Sequence, residues 1–310
     1  MTIDGLRRAV TDAEIAEYEQ EGVVHLPGIL DAEWLDLLER GLLEVFYEQW
    51  GTQEVQYDAT ELAGQAAALG AAVLTDERAQ AVEKPGRFLT AIGSWTYNDT
   101  IRRFALTSPL GAIAGALFRA DKVNYYDDQV LVKEPGAREY TAFHTDEPYY
   151  HLSGDQVCAI WVSPRPVGAD NSPMRYVRGS HRWGSFFRPN TFVSQDATYQ
   201  GEELAPLPDI EGNEGDYDIV TIPSQPGDVI VHHSNLVHGS KPNYDVTTPR
   251  LAGSFRYAGD DVRYKFHPSA PPQPHHRHDL GEGDAIDSDQ FPVVWRRDGA
   301  LVAGSTFGGV

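Results

Sequence analysis

From residue 122 onward the chain is written in short β-rich runs broken by proline and glycine: residues 123–132, 157–162, 174–177, 219–222, 229–233 and 251–257. Runs of four to ten residues at this cadence, with no helix-period segment alternating between them, lack the helical crossovers that join parallel strands. They predict an antiparallel barrel or jelly roll instead of a parallel sheet.

Helical signals sit mainly before that point. Thr11 and Glu14 stand at capping-box spacing, Ile15 and Tyr18 follow as an apolar stripe, and Gly22 ends the turn. Residues 23–26 read as a strand closed by Pro27-Gly28. Asp31 can cap a second helix whose one-sided stripe is Trp34, Leu35, Leu38, Leu42, Val45 and Phe46. Within 51–120 the Ala-rich stretch 63–73 and residues 110–117 look helical, whereas residues 95–97 have no clear period. The expected architecture is therefore mainly β with flanking α-helices in one unit over 1–310: a mostly helical part (1–120), a jelly-roll core (121–260) and a C-terminal extension (261–310). No internal repeat is evident.

The 310 residues carry 25 Lys plus Arg against 46 Asp plus Glu, a net charge of −21. A field of that sign repels phosphate, which argues against nucleic acid and anionic membranes as partners. At 41% hydrophobic and 11% aromatic the chain can bury a core. The single cysteine, Cys158, excludes an internal disulfide framework and Cys-rich zinc modules. No run reaches membrane-span length and the first residues lack the apolar stretch of a signal peptide, so a cytoplasmic protein is expected, monomer or homodimer. Eight of the acids and no Lys or Arg fall in the 30 residues 189–218. That insertion reads as a solvated loop or as a lid over a barrel mouth. Residues 267–289, rich in Pro, His and acid, read as a solvated loop in which His275-His276-Arg277-His278 binds metal only adventitiously.

Chemistry enters at Phe143-His144-Thr145-Asp146. On a strand, residues two apart share a face, so His144 and Asp146 can aim an imidazole and a carboxylate at one point. Alone, His-x-Asp is common and specifies little. Its support lies 94 residues later, where Gln225-Pro226-Gly227-Asp228, a buried-type strand and His238-Gly239-Ser240 bring a second imidazole to a strand end. Two His and one carboxylate make the facial set that leaves three positions of an octahedral Fe(II) open for a cosubstrate and dioxygen. Arg250, twelve residues beyond His238, offers the planar fork that matches a carboxylate, and Ser240 a hydroxyl beside it.

These residues in this order resemble the phytanoyl-CoA dioxygenase family of Fe(II)- and 2-oxoglutarate-dependent oxygenases, which includes ectoine hydroxylase and natural-product tailoring enzymes. The resemblance runs from Thr11 and residues 22–30 through Val132-Lys133-Glu134-Pro135-Gly136, His144-Thr145-Asp146 and Gly179-Ser180-His181-Arg182-Trp183-Gly184. It ends with Pro226-Gly227-Asp228, His238-Gly239-Ser240, Asn243 and Arg250.

The resemblance implies a double-stranded β-helix core of cupin type. It implies His144, Asp146 and His238 as iron ligands, and Arg250 with Ser240 as the clamp on the far carboxylate of 2-oxoglutarate; Arg256 is the other candidate should replacing Arg250 leave the kinetics unchanged. Thr141, Trp161, Gln129 and Lys133 match positions that line the cosubstrate pocket or contact its contents. Phe143 and Trp161 are expected inside, and Glu147, Tyr149, Tyr150 and His151 near the mouth.

The implied reaction consumes dioxygen and 2-oxoglutarate, releases succinate and carbon dioxide, and hydroxylates an unactivated C–H bond of a small metabolite or natural product, neutral or cationic. Desaturation, epoxidation, ring closure, epimerisation and acyl-CoA hydroxylation are the alternatives with the same cofactors. A non-catalytic cupin-like binding protein is the alternative of another class. Two departures stand out: Asn171-Ser172-Pro173 where the family reads Asn-Gly-Pro, and Arg178 where it commonly has Pro. Asp146 retains the carboxylate that halogenating relatives replace by a small residue, which disfavours halogenation.

Overall fold

The computed structural model describes residues 6–195, 204–300 and 302. The chain opens with α1 (Asp12–Glu21), β1 (Val23–Leu26) and α2 (Ala32–Leu43), continued by a π-helical turn. Thr11 and Glu14 form the reciprocal capping box, and Gly22 ends α1 with a left-handed φ of 74°. Asp31 occupies the cap position of α2 but makes no cap bond, its carboxylate accepting instead from Arg7.

Then come β2 (Gln56–Asp58), α3 (Ala59–Ala68), α4 (Glu77–Gln80), β3 (Phe88–Ile92), α5 (Asp99–Thr107) and α6 (Leu110–Phe118). The core strands are β4 (Lys122–Lys133), β5 (Thr141–His144), β6 (Leu152–Ser153), β7 (Val157–Val162), β8 (Met174–Val177) and β9 (Ile219–Ile222). They continue with β10 (Val229–His233), β11 (His238–Ser240), β12 (Arg250–Ala258), β13 (Arg263–Tyr264) and β14 (Val293–Arg296).

All pairings of these strands are antiparallel. The large sheet runs β1-β10-β7-β12-β4-β3-β2, with β14 also on β4; the small sheet runs β5-β11-β8-β9. The part expected to be mostly helical thus lends three strands to the large sheet, and the C-terminal extension lends one. One face of the large sheet is buried under α1, α2, α5 and α6. Leu38, Phe104, Ile113, Ile160 and Phe255 belong to that apolar layer, which supplies most of the fold's hydrophobic stabilisation.

The other face looks toward the small sheet. Alternation along β12 sends Arg250, Ser254 and Arg256 inward while Leu251, Phe255 and Tyr257 join the helix layer. Two bulges adjust this alternation. In β4, Tyr125 pairs with Tyr257 and Asp127 with Arg256, leaving Tyr126 as the extra residue. In β5, Thr141 faces Ser240 and His144 faces His238, so two residues oppose Gly239 alone. The glycine is required there, because a Cβ at 239 would lie 2.6 Å from the carbonyl oxygen of Thr141.

The segment 267–289 is solvated over much of its length, with residues 281–285 all exposed, but it is anchored to the sheet at particular side chains. Ile286 and Phe291 are buried with Tyr126, Tyr150, Leu152 and Val262, Leu280 packs against them, and the His275 and His276 side chains are only 6% and 4% exposed. The segment runs along the β6–β13 end of the barrel, where it covers Tyr126 of β4 and Val157 of β7.

His151 is packed into the same corner. Its ring stacks on Phe266 at 5.0 Å, and its Nδ1 accepts the His267 N–H at 3.1 Å, a bond that protonation of Nδ1 destroys. Burial, and then the imidazoles of His276, His267 and His278, push its pKa down from 6.5 to about 4. The unfolded chain therefore binds more protons between those values, and stability rises with pH from about 4 to 6.5. Denaturation midpoints measured across that range should lose part of this slope in a His151→Asn variant.

Candidate active site

The strongest convergence of donors lies between the sheets. His144 ends β5 and His238 begins β11, and the two are direct cross-strand partners with ring centroids 4.3 Å apart. Each ring is oriented by its second nitrogen: His144 Nδ1 donates to the Ala142 carbonyl at 2.8 Å and His238 Nδ1 to that of Leu236 at 2.9 Å. Both Nε2 lone pairs are thereby left facing the interior.

Asp146 has already left the strand and starts a 3₁₀ turn, held by its N–H to Ser234 O at 2.8 Å. Its Oδ1 stands 3.6 Å from His144 Nε2 and 3.8 Å from His238 Nε2. Ligands bonded to one ion at about 2.1 Å sit roughly 3 Å apart when cis, so these donors need close by only a few tenths of an ångström each. His144, Asp146 and His238 are all buried and their donor atoms lie within 4.8 Å of one another.

Electrostatics prepare the group for a cation. Burial opposes the charge of Asp146, but His238, His144, His232 and Arg256 hold its carboxyl well below the usual range. Burial, reinforced by His232 and His144, keeps His238 neutral with its pKa well below the ordinary value. A deprotonated carboxylate and a neutral imidazole are the forms that bind metal.

Across the cavity stands Arg250, first residue of β12 and 1% exposed. All three of its guanidinium nitrogens are buried without a hydrogen-bond partner, the indole Nε1 of Trp161 is equally bare, and burial draws the Arg250 pKa down to about 10. A buried cation in this condition is costly unless a ligand supplies the acceptors. A carboxylate is the matching group, through two parallel hydrogen bonds. The donor set therefore fits both an iron ion and the dicarboxylate 2-oxoglutarate.

Of the other expected residues, Gln129, Thr141 and Trp161 line the cavity. Lys133 and Ser240 stand one layer back. Lys133 Nζ donates to Ser240 Oγ at 3.0 Å and to Lys241 O at 2.8 Å, and Ser240 Oγ donates to Thr141 Oγ1 at 3.1 Å. They reach the cavity only through the Thr141 hydroxyl.

Phe143 does not lie inside. Alternation with His144 turns it to the outer face of the small sheet, where it packs with Val177, Ile210 and Val237 and under the Arg175 guanidinium. Glu147, Tyr149 and Tyr150 are not among the lining side chains but stand beside them, Tyr149 edge-on to the His144 ring at 6.0 Å and Tyr150 against Arg256. The Glu147 carboxyl is buried and pushed up to about 7; Tyr149 OH donates to Asn190 O at 2.9 Å; Tyr150 OH accepts from Arg256 Nε at 2.5 Å.

The cavity also holds side chains outside the expected set. His232, on β10, faces inward with neither ring nitrogen hydrogen-bonded, and its Nε2 lies 3.6 Å from Asp146 Oδ2. Arg256 donates to Gln129 Oε1 at 2.8 Å as well as to Tyr150. Phe192 reaches the His144 ring from a residue with φ 70°. The inward face of β10 is readable from Ile230 and His232; nothing in the sequence announces Phe192.

The acidic insertion is split by the structure. Asp196, Glu202 and Glu203 lie outside the described residues. Its early part lines the cavity through Phe192, while Leu207, Ile210 and Tyr217 cover the outer face of the small sheet, and Glu211 accepts the Phe143 N–H at 3.1 Å. Over residues 204–218 it is a back plate to the ligand-bearing strands, not a cover over the mouth. The Ser172 departure keeps the left-handed backbone of a glycine at φ 62°, and its hydroxyl donates to Lys241 O at 2.6 Å.

The family model for phytanoyl-CoA dioxygenase (PhyH) matches residues 18–245. The chain belongs to the phytanoyl-CoA dioxygenase family. It is accordingly a 2-oxoglutarate-dependent non-haem iron dioxygenase, with iron, 2-oxoglutarate and dioxygen as its cofactor set.

Solved structures share the fold. The 2-oxoglutarate-dependent epimerase SnoN of nogalamycin biosynthesis superposes with a TM-score of 0.63 at 24% identity, covering 92% of this chain and 98% of its own. The carbocyclase SnoK of the same biosynthesis gives 0.62 at 21%, covering 92% and 97%. EctD from S. alaskensis gives 0.54 at 19%, covering 81% and 77%. Among the described residues of this family member, no helix is long and apolar enough to cross a membrane.

Proposed function

We propose that His144, Asp146 and His238 hold Fe(II), that Arg250 takes the far carboxylate of 2-oxoglutarate, and that the enzyme hydroxylates an unactivated C–H bond of a small metabolite or natural product. The observation that carries this reading is the buried, unpartnered guanidinium of Arg250 facing two imidazoles and a carboxylate already oriented for a metal. Held there, iron with 2-oxoglutarate would activate dioxygen, the oxidant, one of whose atoms would end in succinate as carbon dioxide is released and the other serve to oxidise the substrate.

The chain's own residues position and screen. Thr141 sets the floor beside Arg250 and is itself held by Ser240 and Lys133. Trp161 offers its bare indole N–H to the same end of the cavity. Leu131, Met174 and Phe192 provide apolar wall, and Gln129 and Ser254 neutral polar groups. That lining suits a neutral substrate whose reacting C–H bond is selected by where it is held. The cavity lining holds two arginines, of which Arg250 is assigned to 2-oxoglutarate and Arg256 donates to Tyr150 and Gln129, so the phosphates of an acyl-CoA find no cluster there.

Epimerisation or ring closure is the second reading, supported by the likeness to SnoN and SnoK over 92% of the chain. A metabolite screen scored by succinate release, with products identified by mass, separates the two. A gain of one oxygen is expected for hydroxylation, an unchanged mass for epimerisation, and a loss of two hydrogens for ring closure. Anaerobic addition of Fe(II) and 2-oxoglutarate should give a weak visible charge-transfer band; its absence would leave a binding protein.

A further inference from the structure

A second group of metal-type donors, distinct from His144, Asp146 and His238, converges behind the Arg256 and Gln129 wall of the cavity. The bulge in β4 turns Asp127 inward together with Tyr126, and Asp127 is 4% exposed. Its Oδ1 is fixed by the Asp128 N–H at 2.8 Å, which leaves Oδ2 as the free oxygen. Two consecutive imidazoles of the C-terminal segment converge on that one atom, His275 Nε2 at 2.8 Å and His276 Nε2 at 3.2 Å.

We propose that Asp127, His275 and His276 bind a second divalent ion of borderline softness, of the zinc type, which fastens the C-terminal segment to the large sheet. One carboxylate oxygen and two imidazole nitrogens are a common zinc donor set, and the three donor atoms already lie within 4.8 Å of one another. Donors about 2.0–2.2 Å from a tetrahedral ion sit roughly 3.3–3.6 Å apart, so admitting it requires only that the rings retreat slightly and give up their Nε2 protons.

Each donor is held by a further layer. The His276 ring sits edge-on between Tyr126 at 5.2 Å and Phe291 at 5.1 Å. His275 packs on Gly93, where a Cβ would come within 2.3 Å of the ring, and its Nδ1 is buried without a partner, so Nε2 alone sets its position. Asp127 and Asp128 are adjacent buried carboxylates; Asp128 accepts from the N–H groups of Ser94 and Trp95 and from Tyr125 OH, whereas Asp127 Oδ2 is met by the two imidazoles. Arg256 is their neighbour across the β4–β12 ladder and directs its hydrogen bonds to Tyr150 and Gln129.

The test counts metal in the full chain, stripped by chelator and titrated anaerobically with Co(II) alone. Wild type should take up two equivalents, and a His144→Ala/His238→Ala variant one, still with a Co(II) visible spectrum. Adding Asp127→Asn, which keeps the side-chain volume, should abolish that remaining equivalent. Zinc should raise the melting temperature of the His144→Ala/His238→Ala protein and not of the triple variant. The proposal is overturned if the His144→Ala/His238→Ala protein binds no cobalt, or if its bound equivalent survives Asp127→Asn. The iron site is read independently, from the equivalent that the wild type loses on His144→Ala/His238→Ala.

Discussion

Replacing Arg250 by Ala should raise the KM for 2-oxoglutarate by about thirty-fold to several thousand-fold while leaving iron occupancy close to that of the wild type. Truncating one partner of a buried, hydrogen-bonded charge pair costs about 2–5 kcal/mol, and each 1.4 kcal/mol is a factor of ten in affinity. The guanidinium is fully buried with no acceptor of its own, so the full cost falls on cosubstrate binding. Arg250→Lys should recover only part of it, because an ammonium cannot make the two parallel bonds. Steady-state kinetics with 2-oxoglutarate varied, beside iron quantified in the same preparation, decide the matter. Unchanged kinetics would shift the clamp to Arg256, which also faces the cavity.

Asp146→Ala should remove activity and weaken Fe(II) binding by more than about a hundred-fold, since even loss of an outer partner of a metal ligand typically costs 10–100-fold. The carboxylate is the one negative charge in the set, and three imidazoles and a guanidinium converge on it. Without it, a dication would enter a buried site already facing Arg256. Anaerobic titration should therefore show no charge-transfer band with 2-oxoglutarate in the variant, and equilibrium dialysis should show the loss of iron. Retained iron with retained turnover would remove Asp146 from the ligand set.

The strands that carry the site were legible where their apolar pattern is local. β7, β8, β9 and β10 coincide with the runs read from sequence, because each is a compact β-branched or aromatic segment between turn residues. β2, β3 and α5 were not legible, since they owe their form to packing against β4 and α2, partners distant in sequence.

The same division holds for the site. His144, Asp146, His238 and Arg250 stood out through spacing, and the structure brings their side chains to one cavity. Phe143 was misplaced because it precedes the strand's inward residue by one. Tyr149 and Tyr150 stand beside the cavity, their hydroxyls fixed by hydrogen bonds that no local pattern encodes. His275 and His276 looked solvated because their partner, Asp127, lies 148 and 149 residues earlier.

The two sheets donate different halves of the cavity: His144 and His238 belong to the small sheet, Arg250 and Trp161 to the large one. Among the described residues no strand pair joins these two sheets, so a cosubstrate held by iron at one end and by Arg250 at the other would act as a rivet between them. Ligands that bind only the folded form stabilise it in proportion to the logarithm of their saturation. Hydrogen exchange should then separate the two loading steps. Metal alone should slow the amides of β5 and β11, whereas metal with 2-oxoglutarate should extend the protection across to β12, so that two independently breathing layers begin to open as one.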